Sequence, residues 1–310
     1  MTSTVFIDGE AGTTGLGIRE RLKDVAGVTV KSIAHAHRKD PVARKAMMAD
    51  VDAVILCLPD DAAIEAVALA DELGANAPRI LDASTAHRLA HGWVYGFAEM
   101  HFTQRDMLIG ARRVANPGCY PTGAIALIRP LVDEGFILPD YPISVNAVSG
   151  YSGGGKAMIE AYEAGTAPAF ELYGLSLEHK HVPELQKYGN LDQRPIFVPS
   201  VGNFRQGMLV SVPLHLDALN GKPKVADLEA VLVERYRNAE LVRVVSSQDL
   251  SVKAGRIEPE ALNDTDQLEL RVYGNEARRQ AVLVARLDNL GKGASGAAVQ
   301  NLKLMLGIGV

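Results

Sequence analysis

Hydrophobic positions in the first third of the chain are grouped in short runs of strand length. One run precedes Gly9, and others occupy residues 28–34, 51–58 and 79–82. The segments between them carry apolar residues at helical spacing. Strands that alternate with helices in this way predict a doubly wound α/β domain, in which a parallel sheet has helices on both faces.

The pattern changes after residue 120. An apolar helix face ends at Gly135, and strand patterns follow at residues 141–150 and 194–216. A helix is predicted for Val225–Asn238, and two β runs around Gly274 predict a hairpin. This part of the chain is therefore expected to be an α+β domain with a mixed or antiparallel sheet.

The first strand leads into a glycine turn. Gly9, Gly12 and Gly15 lie between this strand and the first helix, and Thr13 and Thr14 lie among them. Glycines let the main chain approach a pyrophosphate, which the N–H groups at a helix start can bind. The spacing departs from the commoner G-x-G-x-x-G, so a purely structural turn is the alternative.

Basic residues follow the second strand, where an NAD-binding protein places an acid near the ribose 2′-hydroxyl. Arg38 and Lys39 suit a 2′-phosphate instead, and this favours NADP over NAD. The alternative is a solvated basic loop without a ligand.

Cys119 lies in a turn, in the sequence ANPGCYPTG, rather than in an apolar run. Pro121 suits the first turn of a helix and so places Cys119 at the helix N-terminus. The dipole and free N–H groups there stabilise a thiolate and an oxyanion. A nucleophilic thiol beside a nicotinamide indicates thioester and hydride chemistry. A buried cysteine near a helix cap is the alternative, whereas Cys57 is expected to be a core residue.

Composition and charge narrow the function classes. The 310-residue chain has a net charge of −5, which argues against a nucleic-acid surface or a polybasic membrane tether. No apolar run reaches the roughly 18 residues of a membrane span, and the N-terminus lacks a secretion-signal pattern. The two cysteines of the chain cannot form a disulfide framework or a cysteine-rich metal site. We expect a cytoplasmic protein without nucleic-acid, membrane or metal partners.

Six motifs carry a family resemblance. They are the glycine turn at residues 9–15, DASTAHR (82–88), NPGCYPTG (116–123), SGYSGGGK (149–156), EHKHVPE (178–184) and DNLGKGASGAAVQN (288–301). Together they resemble the shorter type of N-acetyl-gamma-glutamyl-phosphate reductases, in the semialdehyde dehydrogenase superfamily. The resemblance covers essentially the whole chain. It implies NADPH-dependent reduction of N-acetyl-glutamyl 5-phosphate to the 5-semialdehyde with release of phosphate, a step of arginine biosynthesis.

The resemblance assigns Cys119 as the nucleophile that forms the thioester. A histidine of EHKHVPE is expected to be the general acid, because histidine titrates near neutrality. His179 and His181 alternate, so in an extended segment they share one face. His181 is slightly preferred because a helix should begin beside it, with Glu184 as a candidate orienting or substrate-binding group. The alternative is that both histidines have only a structural role. A zinc site at the two histidines is disfavoured, because the sequence offers no evident third ligand.

Further candidates come from the remaining motifs and nearby arginines. By resemblance, Asn289 and Gly293 lie on the nicotinamide side of the cofactor, and Ser84 is a further cofactor candidate at the end of a sheet strand. Glycine-rich turns and arginines that can fork onto a carboxylate or phosphate supply the substrate candidates. These are Ser149, Gly150, Ser152, Lys156, Arg88, Arg113, Arg205 and Asn116.

The resemblance also implies a domain division and an assembly. Residues 1–118 with 289–310 form the expected Rossmann-like NADP-binding domain, and residues 119–288 form the expected catalytic and oligomerisation domain. The protein is expected to be a homodimer or homotetramer. The alternatives with related chemistry are an aspartate-semialdehyde and an amino-adipyl-phosphate reductase. A non-catalytic NADP sensor is an alternative of another class.

Overall fold

A computed structural model of the chain describes residues 2–309. Contacts between residues divide it into two compact units. Unit 1 contains the residues up to Pro117 and those from Ala294 onward, and unit 2 contains Gly118–Gly293. No helix within residues 2–309 has the length and apolar content needed to cross a membrane.

Strands and helices alternate through unit 1, and strands predominate in unit 2. In chain order the elements are β1 (Ser3–Asp8), α1 (Thr13–Leu22), β2 (Val28–Lys31), α2 (Pro41–Ala49), β3 (Ala53–Leu56), α3 (Asp60–Asp71), β4 (Arg79–Asp82), β5 (Val94–Tyr95), α4 (Gln104–Leu108), β6 (Arg113–Ala115), α5 (Cys119–Asp133), β7 (Ser144–Gly150), α6 (Lys156–Glu163), β8 (Phe170–Leu172), α7 (Val182–Tyr188), β9 (Ile196–Gly202), β10 (Met208–His215), α8 (Val225–Tyr236), β11 (Val242–Val245), α9 (Leu250–Lys253), β12 (Leu268–Asn275), β13 (Gln280–Leu287) and α10 (Gly296–Leu306).

Unit 1 is centred on a parallel sheet with the strand order β2-β1-β3-β4-β6-β5. Side chains of β1 alternate between the two faces of this sheet. Val5 and Ile7 join Ile18 of α1 in one hydrophobic cluster. Phe6 joins Met48 of α2 in a second cluster. Helices therefore cover both faces, and the predicted doubly wound arrangement is confirmed.

Two strands of this sheet are shorter than the apolar runs predict. β2 ends at Lys31 instead of residue 34, and β3 occupies Ala53–Leu56 instead of residues 51–58. β2 lies at the sheet edge and pairs with β1, and their register ends at the Phe6–Lys31 pair. Beyond that pair β2 has no partner strand, so the chain continues as a loop towards the basic residues.

A buried ion pair joins the end of β1 to α2. Arg44 Nε and Nη2 donate to Asp8 Oδ2 at 2.9 and 2.7 Å, and both residues are buried. Burial raises the pKa of Asp8, and the Arg44 guanidinium opposes that rise. Removal of the guanidinium would leave a buried carboxylate without its counter-charge.

We therefore expect Arg44→Met to lower the free energy of unfolding by about 3–5 kcal/mol at pH 7. Urea titration measures this change. Because the folded-state pKa of Asp8 is raised, the carboxyl group favours folding when protonated, and the deficit should shrink as the pH falls towards 4. The double variant Asp8→Asn, Arg44→Met is the control and should recover part of the loss. A pH-independent deficit would contradict this explanation.

Unit 2 contains a mixed sheet with the strand order β11-β12-β13-β10-β7-β9-β8. β12 and β13 form the predicted antiparallel hairpin, whose turn ends at Arg279 in a left-handed conformation (φ 51°). α5 packs closely on one sheet face, because a Cβ on Gly123 would lie 2.9 Å from Val210 Cγ2. The mixed sheet expected for the second domain is therefore present.

The opposite face of the mixed sheet is partly apolar and exposed. Side chains two apart along a strand share a face, and the register places Asn146, Pro213 and Val282 on the face opposite Val210. These three residues are exposed, as is Ile196 on the neighbouring strand. An exposed face of this kind on a folded sheet is a candidate protein–protein interface.

Candidate active site

Helix α5 begins at Cys119, as the proline spacing predicts. Gly118 precedes it in an extended conformation with φ −71° and ψ 152°. The N–H and the hydroxyl of Thr122 donate to the Gly118 carbonyl oxygen at 3.0 and 2.9 Å, which fixes the first turn. The half-buried thiol thus lies at a helix N-terminus, where the dipole favours a negative charge.

Glu184 connects this turn to a histidine. Its Oε2 accepts a hydrogen bond from Gly118 N–H at 3.2 Å. Its Oε1 lies 3.9 Å from His181 Nε2, and both side chains are buried. Glu184 is therefore placed to position the cysteine turn and to pair with the His181 ring when that ring carries a second proton.

His179 and His181 do not lie in an extended segment, so the expectation of a shared strand face is wrong. The chain turns here into α7, and His181 has φ −84° and ψ −12° as its N-cap residue. The rings nevertheless meet edge to face, with centroids 4.8 Å apart. His181 N–H donates to His179 Nδ1 at 3.1 Å. The neutral His179 ring therefore carries its proton on Nε2.

The two histidines differ in their chemical roles. Burial lowers the pKa of His179 to about 4, and the charge of Lys180 adds to this effect. His179 is therefore neutral at pH 7, where its Nε2–H can donate a hydrogen bond but the ring holds no second proton to transfer. This leaves His181 as the better candidate for the general acid.

Two tyrosines form a chain of hydroxyl groups beside the cysteine. Tyr173 donates to the Tyr120 hydroxyl at 3.0 Å, and Tyr120 donates to the Ser200 carbonyl oxygen at 3.2 Å. Burial raises the pKa of Tyr173 to about 12 and also raises the pKa of Tyr120. Both hydroxyls are therefore protonated at neutral pH and act as hydrogen-bond donors.

These groups line one open cavity of about 210 Å³ within unit 2. Five of the predicted site residues meet there, although they come from three separate segments of the chain: Cys119, Ser149, Gly150, His179 and His181. The other lining residues are Tyr120, Gly153, Gly154, Met158, Tyr173, Lys180 and Val201. A cysteine at a helix N-terminus, two histidines and a lysine thus line one small cavity.

Asn289 holds together the segments around this cavity. Its Oδ1 accepts from Gly207 N–H at 2.8 Å, and its Nδ2 donates to Ser152 Oγ at 2.9 Å. Asn289 and Ser152 are both buried. The structure therefore shows a bridging role within unit 2 for these two predicted site residues, and neither lines the cavity.

Gly293 approaches the cysteine from the C-terminal segment. A Cβ on Gly293 would lie 2.9 Å from Cys119 Cβ and 3.1 Å from the Asp288 carbonyl oxygen. Gly293 N–H also donates to that carbonyl oxygen at 2.9 Å, so the backbone has little freedom to move away. Only glycine fits here without displacement of the thiol.

We expect Gly293→Ala to lower kcat by about 100-fold, because a shift of the thiol by about 1 Å has consequences of this size. Steady-state kinetics measures the loss. Thermal unfolding is the control, and we expect the melting temperature to stay close to that of the wild type. An alanine variant with wild-type kcat would show that the close contact with Cys119 has no catalytic importance.

Two predicted basic groups of unit 2 lie away from the cavity lining. Lys156 is exposed at the start of α6, with Nζ 3.6 Å from Glu160 Oε1. Arg205 is exposed and forms an ion pair with Glu163. Both contacts are ordinary surface ion pairs.

The substrate candidates in unit 1 are engaged in contacts of that unit. Asn116 is buried, and its Nδ2 donates to the Ala294 carbonyl oxygen at 3.1 Å. Arg88 is also buried and donates from Nε to the Asn116 carbonyl oxygen at 3.0 Å. Arg113 pairs with Asp71. Asn116 and Arg88 thereby fix the chain directly before the cysteine turn.

Ser84, the cofactor candidate at the end of β4, is held by a carboxylate. Its hydroxyl and its N–H donate to the two Asp82 oxygens at 2.8 Å each. His87 Nδ1 lies 2.6 Å from Asp82 Oδ2. This cluster shapes the loop at the carboxyl end of β4, the sheet edge where ligands bind in doubly wound folds.

The glycine turn of unit 1 has the form of a phosphate cradle. Gly9 has φ +89°, and a Cβ there would lie 2.3 Å from the Cys57 carbonyl oxygen. A Cβ on Gly15 would lie 2.7 Å from the Gly9 carbonyl oxygen. A Cβ on Gly12, the N-cap of α1, would meet one atom within 4 Å, the Gly9 carbonyl oxygen at 3.5 Å, so there is open space beside this residue. Arg38 is exposed beyond β2 and contacts His35, and Lys39 is exposed next to it.

Comparison with known proteins decides the family. A family model described as the semialdehyde dehydrogenase dimerisation domain matches residues 119–289. Proteins named N-acetyl-gamma-glutamyl-phosphate reductase from Brucella ovis and Brucella abortus are 54% identical to this chain over 99% of its length and 100% of theirs. The chain belongs to the N-acetyl-gamma-glutamyl-phosphate reductase family. The resemblance carried by the six motifs is thereby confirmed.

Solved structures show how widely this reductase fold is shared. An aspartate semialdehyde dehydrogenase II from Vibrio cholerae superimposes with a TM-score of 0.73 at 15% identity, over 100% of both chains. An aspartate semialdehyde dehydrogenase from Candida albicans, solved with NADP, gives a TM-score of 0.66 at 12% identity, over 99% of both chains. At these identities the likeness concerns the fold alone.

Several residues of the candidate site were not predicted from the sequence. Tyr120, Met158, Tyr173, Lys180 and Val201 line the cavity beside Cys119. Lys180 had the clearest sequence indication, because it is the one cation inside EHKHVPE. Met158, Tyr173 and Val201 lie in segments without a recognisable motif, and only the folded sheet brings them together.

Proposed function

We propose that this protein catalyses the NADPH-dependent reduction of N-acetyl-L-glutamyl 5-phosphate to N-acetyl-L-glutamate 5-semialdehyde, with release of phosphate. The observation that carries this proposal is the Cys119 thiol at a helix N-terminus, in one cavity with His179 and His181. The family membership supports the substrate. This reaction belongs to arginine biosynthesis.

We assign the acyl-transfer and proton-transfer steps to residues of the cavity. The Cys119 thiolate attacks the acyl carbon, the bond from that carbon to the phosphate oxygen breaks, and phosphate leaves with the electron pair. The thioester then accepts a hydride, which bound NADPH supplies. The resulting oxyanion reforms the carbonyl group and expels the cysteine sulfur, which takes a proton from His181. Hydrogen-bond donors at the start of α5 and His179 Nε2–H are our candidates to stabilise the oxyanion.

NADP is the coenzyme that fits unit 1 best. The open space beside Gly12 and the start of α1 suit a pyrophosphate, with Thr13 and Thr14 in the first helical turn. Arg38 and Lys39 suit the 2′-phosphate. Ser84, Asn289 and Gly293 stay in the proposal as residues that shape the nicotinamide end, and the shared fold with an NADP-bound dehydrogenase supports this coenzyme.

We propose a homodimer or homotetramer that forms through the exposed face of the mixed sheet. The matched family model is described as a dimerisation domain and covers this sheet. Unit 1 is proposed as the NADP-binding domain and unit 2 as the catalytic and oligomerisation domain. A cytoplasmic location suits a biosynthetic enzyme with a free catalytic thiol. Light scattering of the purified protein determines the number of subunits.

The reverse reaction tests the proposed function. N-acetyl-glutamate semialdehyde, NADP and phosphate are mixed with the protein, and NADPH formation is followed by absorbance. We expect activity that requires phosphate and is much weaker with aspartate semialdehyde and the amino-adipate semialdehyde analogue. A preference for either of those two aldehydes would contradict the proposed substrate. NADP binding without turnover of any aldehyde would indicate the non-catalytic sensor.

A further inference from the structure

One basic residue lines the Cys119 cavity. Of the residues that line the cavity within the described range 2–309, Lys180 is the one lysine or arginine. It is exposed, and its neighbours His179 and His181 line the same cavity. The proposed substrate carries two anionic groups, a carboxylate and a phosphate. Charge-assisted hydrogen bonds from a cationic side chain are among the strongest contacts that such groups make.

The other candidate cations have different contacts. Arg113 pairs with Asp71, Arg205 with Glu163, and Lys156 with Glu160. Arg88 is buried and donates to a carbonyl oxygen. None of these four lines the cavity. We therefore assign the cationic contact to Lys180 instead of the predicted arginines.

The local backbone holds Lys180 at this position. The hydrogen bond from His181 N–H to His179 Nδ1 closes a tight turn around Lys180, and α7 begins directly afterwards. Burial lowers the pKa of His179, and the charge of Lys180 adds to this effect, which is consistent with an ammonium group near the cavity wall. The ammonium group of lysine has three hydrogen-bond donors, and its flexible stem lets it adjust to the position of an anion.

We propose that Lys180 is the anion-binding residue of the substrate cavity and binds the carboxylate or the phosphate of the acyl phosphate. This inference rests on the proposed function. It adds the residue that recognises the charged end of the substrate.

The kinetics of the reverse reaction test this role and identify the anion. One charge-assisted hydrogen bond is worth about 1.5–3 kcal/mol, so Lys180→Met should raise one Michaelis constant by about 10- to 100-fold. A raised KM for the semialdehyde identifies the carboxylate, and a raised KM for phosphate identifies the phosphate. We expect kcat to change much less than KM, and Lys180→Arg to keep KM within a few-fold.

Lys253→Met is the matched control, since Lys253 is an exposed lysine of the same unit outside the cavity lining. It should leave both Michaelis constants unchanged. If Lys180→Met also leaves both unchanged while the wild type is active, the proposal for Lys180 is overturned and the proposed function stands.

Alkylation of Cys119 provides a readout that does not require turnover. Iodoacetate carries a carboxylate and iodoacetamide is neutral, so the ratio of their rates reports the positive charge near the thiol. An interaction of roughly 0.6 kcal/mol between two unit charges in water corresponds to about three-fold in rate, so Lys180→Met should lower this ratio by about three-fold. Lys180→Arg and Lys253→Met should leave it unchanged. An unchanged ratio in Lys180→Met would overturn the proposal, whether or not the wild type turns over the semialdehyde.

Discussion

Cys119→Ser should reduce turnover by at least about 1,000-fold, while NADPH affinity stays within a few-fold of wild type. A serine hydroxyl is hardly ionised at neutral pH and is a weak nucleophile without an adjacent strong base. The helix N-terminus that stabilises a thiolate cannot make up for this difference. The NADPH cradle that we propose belongs to unit 1, whereas Cys119 belongs to unit 2. Discontinuous assays with long incubation times measure the residual turnover, and fluorescence titration with NADPH measures the affinity.

Cys57→Ser is the matched control, because it changes the other cysteine of the chain in the same way. Cys57 packs against the core of unit 1, and burial, together with the charges of Asp82 and Asp8, raises the pKa of its thiol to about 12. This thiol is not nucleophilic at neutral pH, so kcat should stay close to wild type. Near-full activity of Cys119→Ser would instead exclude a covalent route through that residue.

Joint replacement of Arg38 and Lys39 by serine should raise the KM for NADPH by about 100-fold and leave the KM for NADH nearly unchanged. Each basic group is expected to donate charge-assisted hydrogen bonds to the 2′-phosphate, and each such bond is worth about 1.5–3 kcal/mol. NADH lacks that phosphate and therefore loses no such contact. Initial rates with each coenzyme measure the change in preference.

Lys23→Ser is the control for the loss of a positive charge from unit 1, because Lys23 is an exposed lysine that pairs with Glu20 at the end of α1. It should affect neither coenzyme. An equal rise of KM for NADPH and NADH in the Arg38 and Lys39 variant would show that the basic loop supports the fold of the site rather than the 2′-phosphate.

The fold of unit 1 could be predicted largely because its interactions are local. A buried parallel strand appears in the sequence as a continuous apolar run. Gly9 and Pro59 mark places where a strand has ended and a helix is about to begin. Strand ends were predicted less well. β2 stops at Lys31 because its partner β1 pairs no further, and the apolar pattern contains no information about the partner.

The candidate site was predictable where one short segment determines the geometry. Pro121 and the glycine before Cys119 place the thiol at the start of α5. The histidines were identified by their motif, but their conformation was not, because the hydrogen bond to His179 Nδ1 and the start of α7 override the alternation expected for an extended segment.

Residues that depend on tertiary contacts escaped prediction. Arg113 and Arg205 have the right chemistry for a phosphate, yet each lies beside an acid from a distant part of the chain, Asp71 or Glu163. Tyr173 lies in no motif, and its place beside the cysteine results from the hydroxyl chain through Tyr120 to β9. Pairings across a sheet of mixed topology cannot be obtained from spacing along the sequence.

The most direct test of the covalent mechanism is a rapid-quench experiment without phosphate. The protein is mixed with N-acetyl-glutamate semialdehyde and NADP, and NADPH formation and intact mass are followed together. A burst of about one NADPH per active chain should accompany one acyl group on the Cys119 peptide, because the thioester has no phosphate to accept it. NADPH formation without acylation of Cys119 would contradict the mechanism.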